Sequence, residues 1–131
     1  MRTISGFQVG YVAGGRFDPP FYPTKQKPFV KGLTLPVPDG GGVHLLTYTL
    51  PTDAELISIA CGCSRYDIAD NWDVRVNGEV ICESIYTKDL PEGMYLMAIL
   101  QLEAGDRIDF YYHADSGVGK QVWVNYQMLK D

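Results

Sequence analysis

Trp72-Asp73-Val74-Arg75-Val76-Asn77-Gly78-Glu79-Val80-Ile81-Cys82 is the stretch on which the fold turns. From Trp72 to Val76 apolar and charged residues alternate, which gives an extended chain one apolar and one charged side. Asn77-Gly78 follows at once. Both residue types accept the positive φ that a two-residue type I′ turn requires, and that turn matches the twist of two paired strands. The chain is therefore predicted to double back here, with Glu79–Ile85 returning as the partner strand.

Working outward, the same period recurs. Towards the C-terminus, Pro91-Glu92-Gly93 reads as a turn and Met94–Leu102 as a strand. Ala104-Gly105-Asp106 turns again into Arg107–His113, where Ile108, Phe110 and Tyr112 share a side. After an Asp115–Gly119 loop, Val122–Leu129 alternates Val122, Val124, Tyr126 and Met128 against Trp123, Asn125, Gln127 and Leu129. Large groups stand on both sides of this last strand, so it is expected to be covered twice or to lie at a subunit interface. Towards the N-terminus, Glu55–Cys63 and His44–Leu50 complete the set, and Thr3–Val12 supplies one further strand. No segment carries a 3.6-residue stripe. Seven or eight strands separated by short turns predict an all-β, antiparallel β-sandwich, jelly-roll-like in arrangement.

The chain has 131 residues, 46% of them hydrophobic and 21% charged, which suits one folded domain with its own core. Seven of the eight prolines lie at or before Pro51. Proline lacks the N–H that a central strand donates. Residues 1–42 are therefore expected to be an extended, Pro/Gly-rich N-terminal assembly arm, and residues 43–131 the sandwich. Phe17, Phe21, Tyr22 and Phe29 make the arm too apolar for a linker, so it is expected to pack on its own domain or on a neighbour. Charge divides in the same way: residues 1–50 carry five basic and two acidic side chains, residues 51–131 six and fourteen. A basic arm beside an acidic domain favours attachment between copies of the chain.

A net charge of −5 argues against nucleic-acid binding. No apolar run reaches the roughly 18 residues of a membrane span, and Met1-Arg2-Thr3-Ile4-Ser5 has no signal-peptide core. Three cysteines, an odd number, fit synthesis in a reducing cytoplasm.

Few residues invite chemistry. His113, Asp115 and Ser116 could be drawn as a triad, but no nucleophile elbow accompanies them, and the chain is read as a non-enzyme. Cys61, Cys63 and Cys82 fall short of the four ligands of a structural zinc site and are read as small buried apolar groups. Asp67, Asp70 and Asp73, with Asn71 among them, have the oxygen-rich spacing that calcium takes, the one cofactor the sequence admits; the same residues also build ordinary turns. Trp72 beside Asn71, and Trp123 two residues from Asn125, pair an aromatic ring with an amide, the chemistry of a sugar-binding surface, although such rings also fill cores.

The stretches Trp72-x-Val-x-Val-Asn-Gly78, Ile85–Gly93, Gly105-Asp-x-Ile-x-Phe110 and Lys120-x-Val-Trp-Val-Asn-Tyr126 resemble small jelly-roll domains of tailed-phage and prophage virion proteins, of head-fibre, decoration or receptor-binding type. Leu102–Ile108 also resembles the strand-turn-strand of trimeric complement-type and tumour-necrosis-type jelly rolls. The resemblance covers about residues 55–129 and implies a virion-associated structural or adhesion protein, made in the host cytoplasm. It implies a homo-oligomer, with a trimer favoured, that contacts other virion proteins; a cell-surface glycan is a further expected partner, and without an apolar span no membrane insertion is expected. The alternative reading is a monomeric carbohydrate-binding module assisted by calcium.

Overall fold

The computed structural model describes residues 21–87 and 92–131. Eight strands follow one another: β1 (Lys27–Val37), β2 (Val43–Thr49), β3 (Ala54–Cys63), β4 (Asn71–Val76), β5 (Glu79–Tyr86), β6 (Glu92–Leu102), β7 (Arg107–His113) and β8 (Lys120–Lys130). They form two four-stranded sheets, ordered β1-β8-β3-β6 and β2-β7-β4-β5, and every pairing is antiparallel. The chain is thus an all-β sandwich. In each of the pairs β4·β5, β3·β6, β2·β7 and β1·β8 the strand numbers add to the same total. That nesting is what a single long hairpin makes when it is rolled up, the jelly-roll arrangement.

The tip of the hairpin is the Asn77-Gly78 turn. Asn77 and Gly78 sit at φ 49° and 87°, the type I′ signature. The turn is also tied to β7: Asn77 Nδ2 donates to Asp106 Oδ1 (3.1 Å), and Arg107 N donates to Asn77 Oδ1 (2.9 Å).

Alternation sets the core. Leu56 and Ile59 from β3, Val74 from β4, Ile108, Phe110 and Tyr112 from β7, and Val122, Val124 and Tyr126 from β8 are all fully buried between the sheets. Trp72 joins them, its ring 5.7 Å from that of Phe110. Burying these faces is the main favourable contribution to the fold.

The expected boundary at residue 42 is corrected. Lys27–Val37, assigned by its prolines to an arm, is an eleven-residue strand paired along its whole length with β8. Proline is excluded from central strands, but β1 is an edge strand. Pro28 and Pro36 lie an even number of residues apart, so both turn their missing N–H to the same edge, the one away from β8. The sandwich therefore begins by Lys27. The remainder of the expected arm, residues 1–20, with its Thr3–Val12 strand, lies outside the described residues.

Candidate functional site

Glu55 explains how the chain enters β1. Its carboxylate is fully buried on the outward side of β3. It accepts hydrogen bonds from Thr24 N (3.0 Å), Thr24 Oγ1 (2.6 Å), Lys25 N (2.9 Å) and Gln101 Nε2 (2.6 Å). Residues 24–25 thus cross from the β1 edge over β3, towards Gln101 on β6, and Lys25 Nζ meets Asp131 at 3.0 Å on the way. Burial acts to raise the Glu55 pKa, but these donors outweigh it and hold the carboxyl below its ordinary range.

The three carboxylates considered for calcium do not converge. Asp67 closes a turn, accepting from Ala69 N at its Oδ1 (3.1 Å) and from Asp70 N at its carbonyl (3.1 Å). Asp70 points into the end of the sandwich. There it pairs with Lys120 Nζ, both side chains wholly out of water, and accepts from Tyr112 Oη (2.8 Å) and Ser116 N (2.9 Å). Asp73 lies on the other side of its sheet, accepting from Ser84 N (2.7 Å) and meeting His113 Nε2 (2.8 Å). Burial pushes both Asp70 and Asp73 up, but their donors prevail, and both titrate below the usual carboxylate range. Among the described residues no three His, Cys, Asp or Glu side chains are grouped to hold a metal.

The imagined triad is also dispersed. His113 faces Asp73, Asp115 Oδ2 accepts from Asn71 Nδ2 (3.3 Å), and Ser116 Oγ accepts from Val118 N (3.2 Å). The partners of His113 and Asp70 are some 40 to 50 residues away in sequence, so only the strand register could have revealed them.

The cysteines are free. Cys61 and Cys63 share the inward side of β3, half-buried, and Cys82 is buried on β5. Cys63 Sγ lies 3.6 Å from Tyr112 Oη. The single phenolic proton goes to Asp70 at 2.8 Å, which leaves the thiol as donor to the phenol oxygen. Burial, and the Asp70 carboxylate that accepts the phenolic proton, push the Tyr112 pKa upward.

The two outward faces differ in kind. At the centre of the β2-β7-β4-β5 sheet, charged groups cluster, though Arg75 Nε finds no hydrogen-bond partner among the described residues. Arg107 Nε bonds Asp109 Oδ2 (2.9 Å), Thr47 Oγ1 donates to Asp109 Oδ1 (2.8 Å), and the Arg75 guanidinium lies 4.8 Å from the Tyr111 ring centre. Beyond them stands the Asp73–His113 pair, next to Ser84, which takes φ 57° where β5 bulges.

Among the described residues, the opposite face carries no charged side chain over three successive cross-strand rows. Thr34, Trp123 and Gly62 form the first row. Gly32, Asn125, Ala60 and Gly93 form the second, and Val30, Gln127, Ser58 and Tyr95 the third. The middle row is nearly empty of side chains, so it is a trough across the sheet. Its walls are the 42% exposed Trp123 on one side and Gln127, bonded to Ser58, with the 73% exposed Tyr95 on the other. Asn125 is the one long side chain within it. A Cβ at position 32 would stand 2.8 Å from Asn125 Oδ1, so Gly32 is what lets that amide lie over β1. Of the four residues expected to bind a ligand, Trp123 and Asn125 are together on this open face. Trp72 is 3% exposed and belongs to the core, and Asn71 lies across the molecule beside Asp115. Ser58 and the small residues of the trough went unnoticed in the sequence, because their contribution depends on which strands flank β8.

No curated protein matches the sequence. Residues 25–131 match a domain of unknown function, DUF8551, a span that begins at the Glu55 clasp, and the chain belongs to that family.

Proposed function

We propose that this protein is a virion-associated structural or adhesion component of tailed-phage type, which acts by assembling with copies of itself rather than by catalysis. Residues 1–20 would attach one subunit to the next, as a homotrimer that also meets other virion proteins. The observation that carries the reading is the Glu55 clasp. A buried carboxylate with four donors is a costly device unless the position of the segment it holds matters. The segment it holds leads from residues 1–20 into β1. Residues 1–20 carry Arg2 and Arg16 against Asp18, a small positive excess opposite the acidic surplus of residues 51–131.

Light scattering at physiological salt tests this reading. The full chain is expected to run as an oligomer, and a variant lacking residues 1–20 as a monomer that keeps its β-sheet circular dichroism. A monomeric full chain would refute self-assembly. An unchanged oligomer after truncation would refute the part given to residues 1–20.

A further inference from the structure

We propose that the trough on the outward face of β1-β8-β3-β6 is a binding site for neutral glycan, in which the Trp123 and Tyr95 rings hold sugar faces and Asn125 reads hydroxyl groups. This inference is independent of self-assembly and places the ligand chemistry on one surface.

Three observations lead to it. First, the trough is uncharged in a chain with 21% charged residues, while the opposite sheet face concentrates its charges and pairs them. A surface without charge, in an acidic protein, selects against ionic ligands and suits a neutral polar one. Second, its dimensions suit sugar rings. The strand rise puts Trp123 and Gln127 about 13 Å apart along β8, and β6, with Tyr95, lies two strand spacings, about 10 Å, from β8. An open aromatic face is amphipathic in the way a pyranose is: it takes the C–H side of the ring and leaves the hydroxyls to neighbouring polar groups. Third, an amide is arranged at the centre. Asn125 offers two donors and an acceptor, and Gly32 gives way to it. A Cβ at position 32 would stand 2.8 Å from the amide oxygen and force the amide to shift.

Asn125, Gln127, Ser58 and Thr34 on the floor and walls can each both donate and accept. Ser58 and Gln127 are engaged with one another and stiffen the wall beside Tyr95. Ala60 and Gly93 put no long side chain into the β3–β6 half of the trough.

The test uses the full-length protein on an immobilised panel of neutral polysaccharides (glucan, mannan, galactan, chitin) and anionic ones (heparan sulfate, sialylated glycans). It is run with calcium and with chelator. Retention is expected on at least one neutral polysaccharide, with or without calcium, and is expected to fall on the order of tenfold for Trp123→Ala. Ala60→Arg fills the trough without touching the core and should have the same effect. Gly32→Val should weaken retention by displacing the Asn125 amide while leaving the melting temperature near that of the parent. Three results would each overturn the proposal: no retention on any neutral polysaccharide, retention indifferent to Trp123→Ala and Ala60→Arg, or retention confined to the anionic set. If Trp123→Ala instead dissociates the oligomer in light scattering, the face is covered by a second copy and the glycan assignment falls. Self-assembly would survive that result, so the two failures are separable.

Discussion

Asp70 and Lys120 are both removed from water, and neither is tolerable there without the other. Replacing Asp70 with Asn leaves an ammonium group buried without a counter-charge. The expected cost is about 3–5 kcal/mol in a denaturant titration. Asp70→Asn combined with Lys120→Met removes both charges and should recover most of that loss. Acid acts on the same groups. The folded-state pKa values of Glu55, Asp70 and Asp73 are all depressed. The stability they contribute is fully present above their unfolded values near pH 4 and is lost as pH falls through the lower folded values. Denaturant midpoints should therefore be flat from neutral pH down to about pH 5 and drop steeply below about pH 4. Asp70→Asn should lessen that drop. At this scale the sequence spoke unevenly. The alternation that puts Val74 in the core puts Trp72 beside it, so the fate of Trp72 could be read locally. Asp70 could not, because its counter-ion is on β8 and nothing local distinguishes a buried aspartate from one in a solvated turn.

Among the elements, the β4–β5 hairpin is the most completely specified by its own residues. Gly78 takes φ 87° in open space, with no atom within 4 Å of where a Cβ would stand. Gly78→Ala should therefore cost the backbone strain alone, about 1–2 kcal/mol, without disturbing packing. A larger loss would mean that the turn is held in some further way. Strands β7 and β8 were legible for a similar reason, since each runs between a core and an outward row and alternates accordingly. Strand β1 was not legible. Its two prolines suppress the strand signal, and the edge position that makes them harmless is a property of the sheet order. The trough shares this limitation. Gly32, Ala60, Gly93 and Asn125 belong to four different strands, and only their register makes one row of them.

For the whole molecule, β8 has the heaviest structural duty. It lies between β1 and β3, carries three core side chains with no exposure, supplies Lys120 to the buried ion pair, and presents Trp123 and Asn125 outward. Deleting residues 120–131 would strand β1 without a neighbour and leave β3 paired on one side. Such a variant is expected to lose cooperative thermal unfolding altogether, rather than melt some degrees earlier. A cooperative transition retained by the truncated chain would mean that the β2-β7-β4-β5 sheet can stand by itself. The two outward faces differ: on one, Arg107 pairs with Asp109 and His113 with Asp73, and on the other the described trough rows carry no charged side chain.

The nesting of the strand pairs also has a consequence for the order of events during synthesis. The β4–β5 hairpin can close as soon as it leaves the ribosome, and each later strand finds its partner waiting at an ever greater distance back along the chain. β8 is the last of the eight to emerge, and it must slip between β1 and β3. Until then one sheet lacks its second strand and exposes two unpaired strand borders, the form most open to pairing with another nascent chain. Neighbouring copies translated from one message would meet in that interval, and the moment at which β8 arrives would decide whether they join through finished surfaces or by exchanging strands.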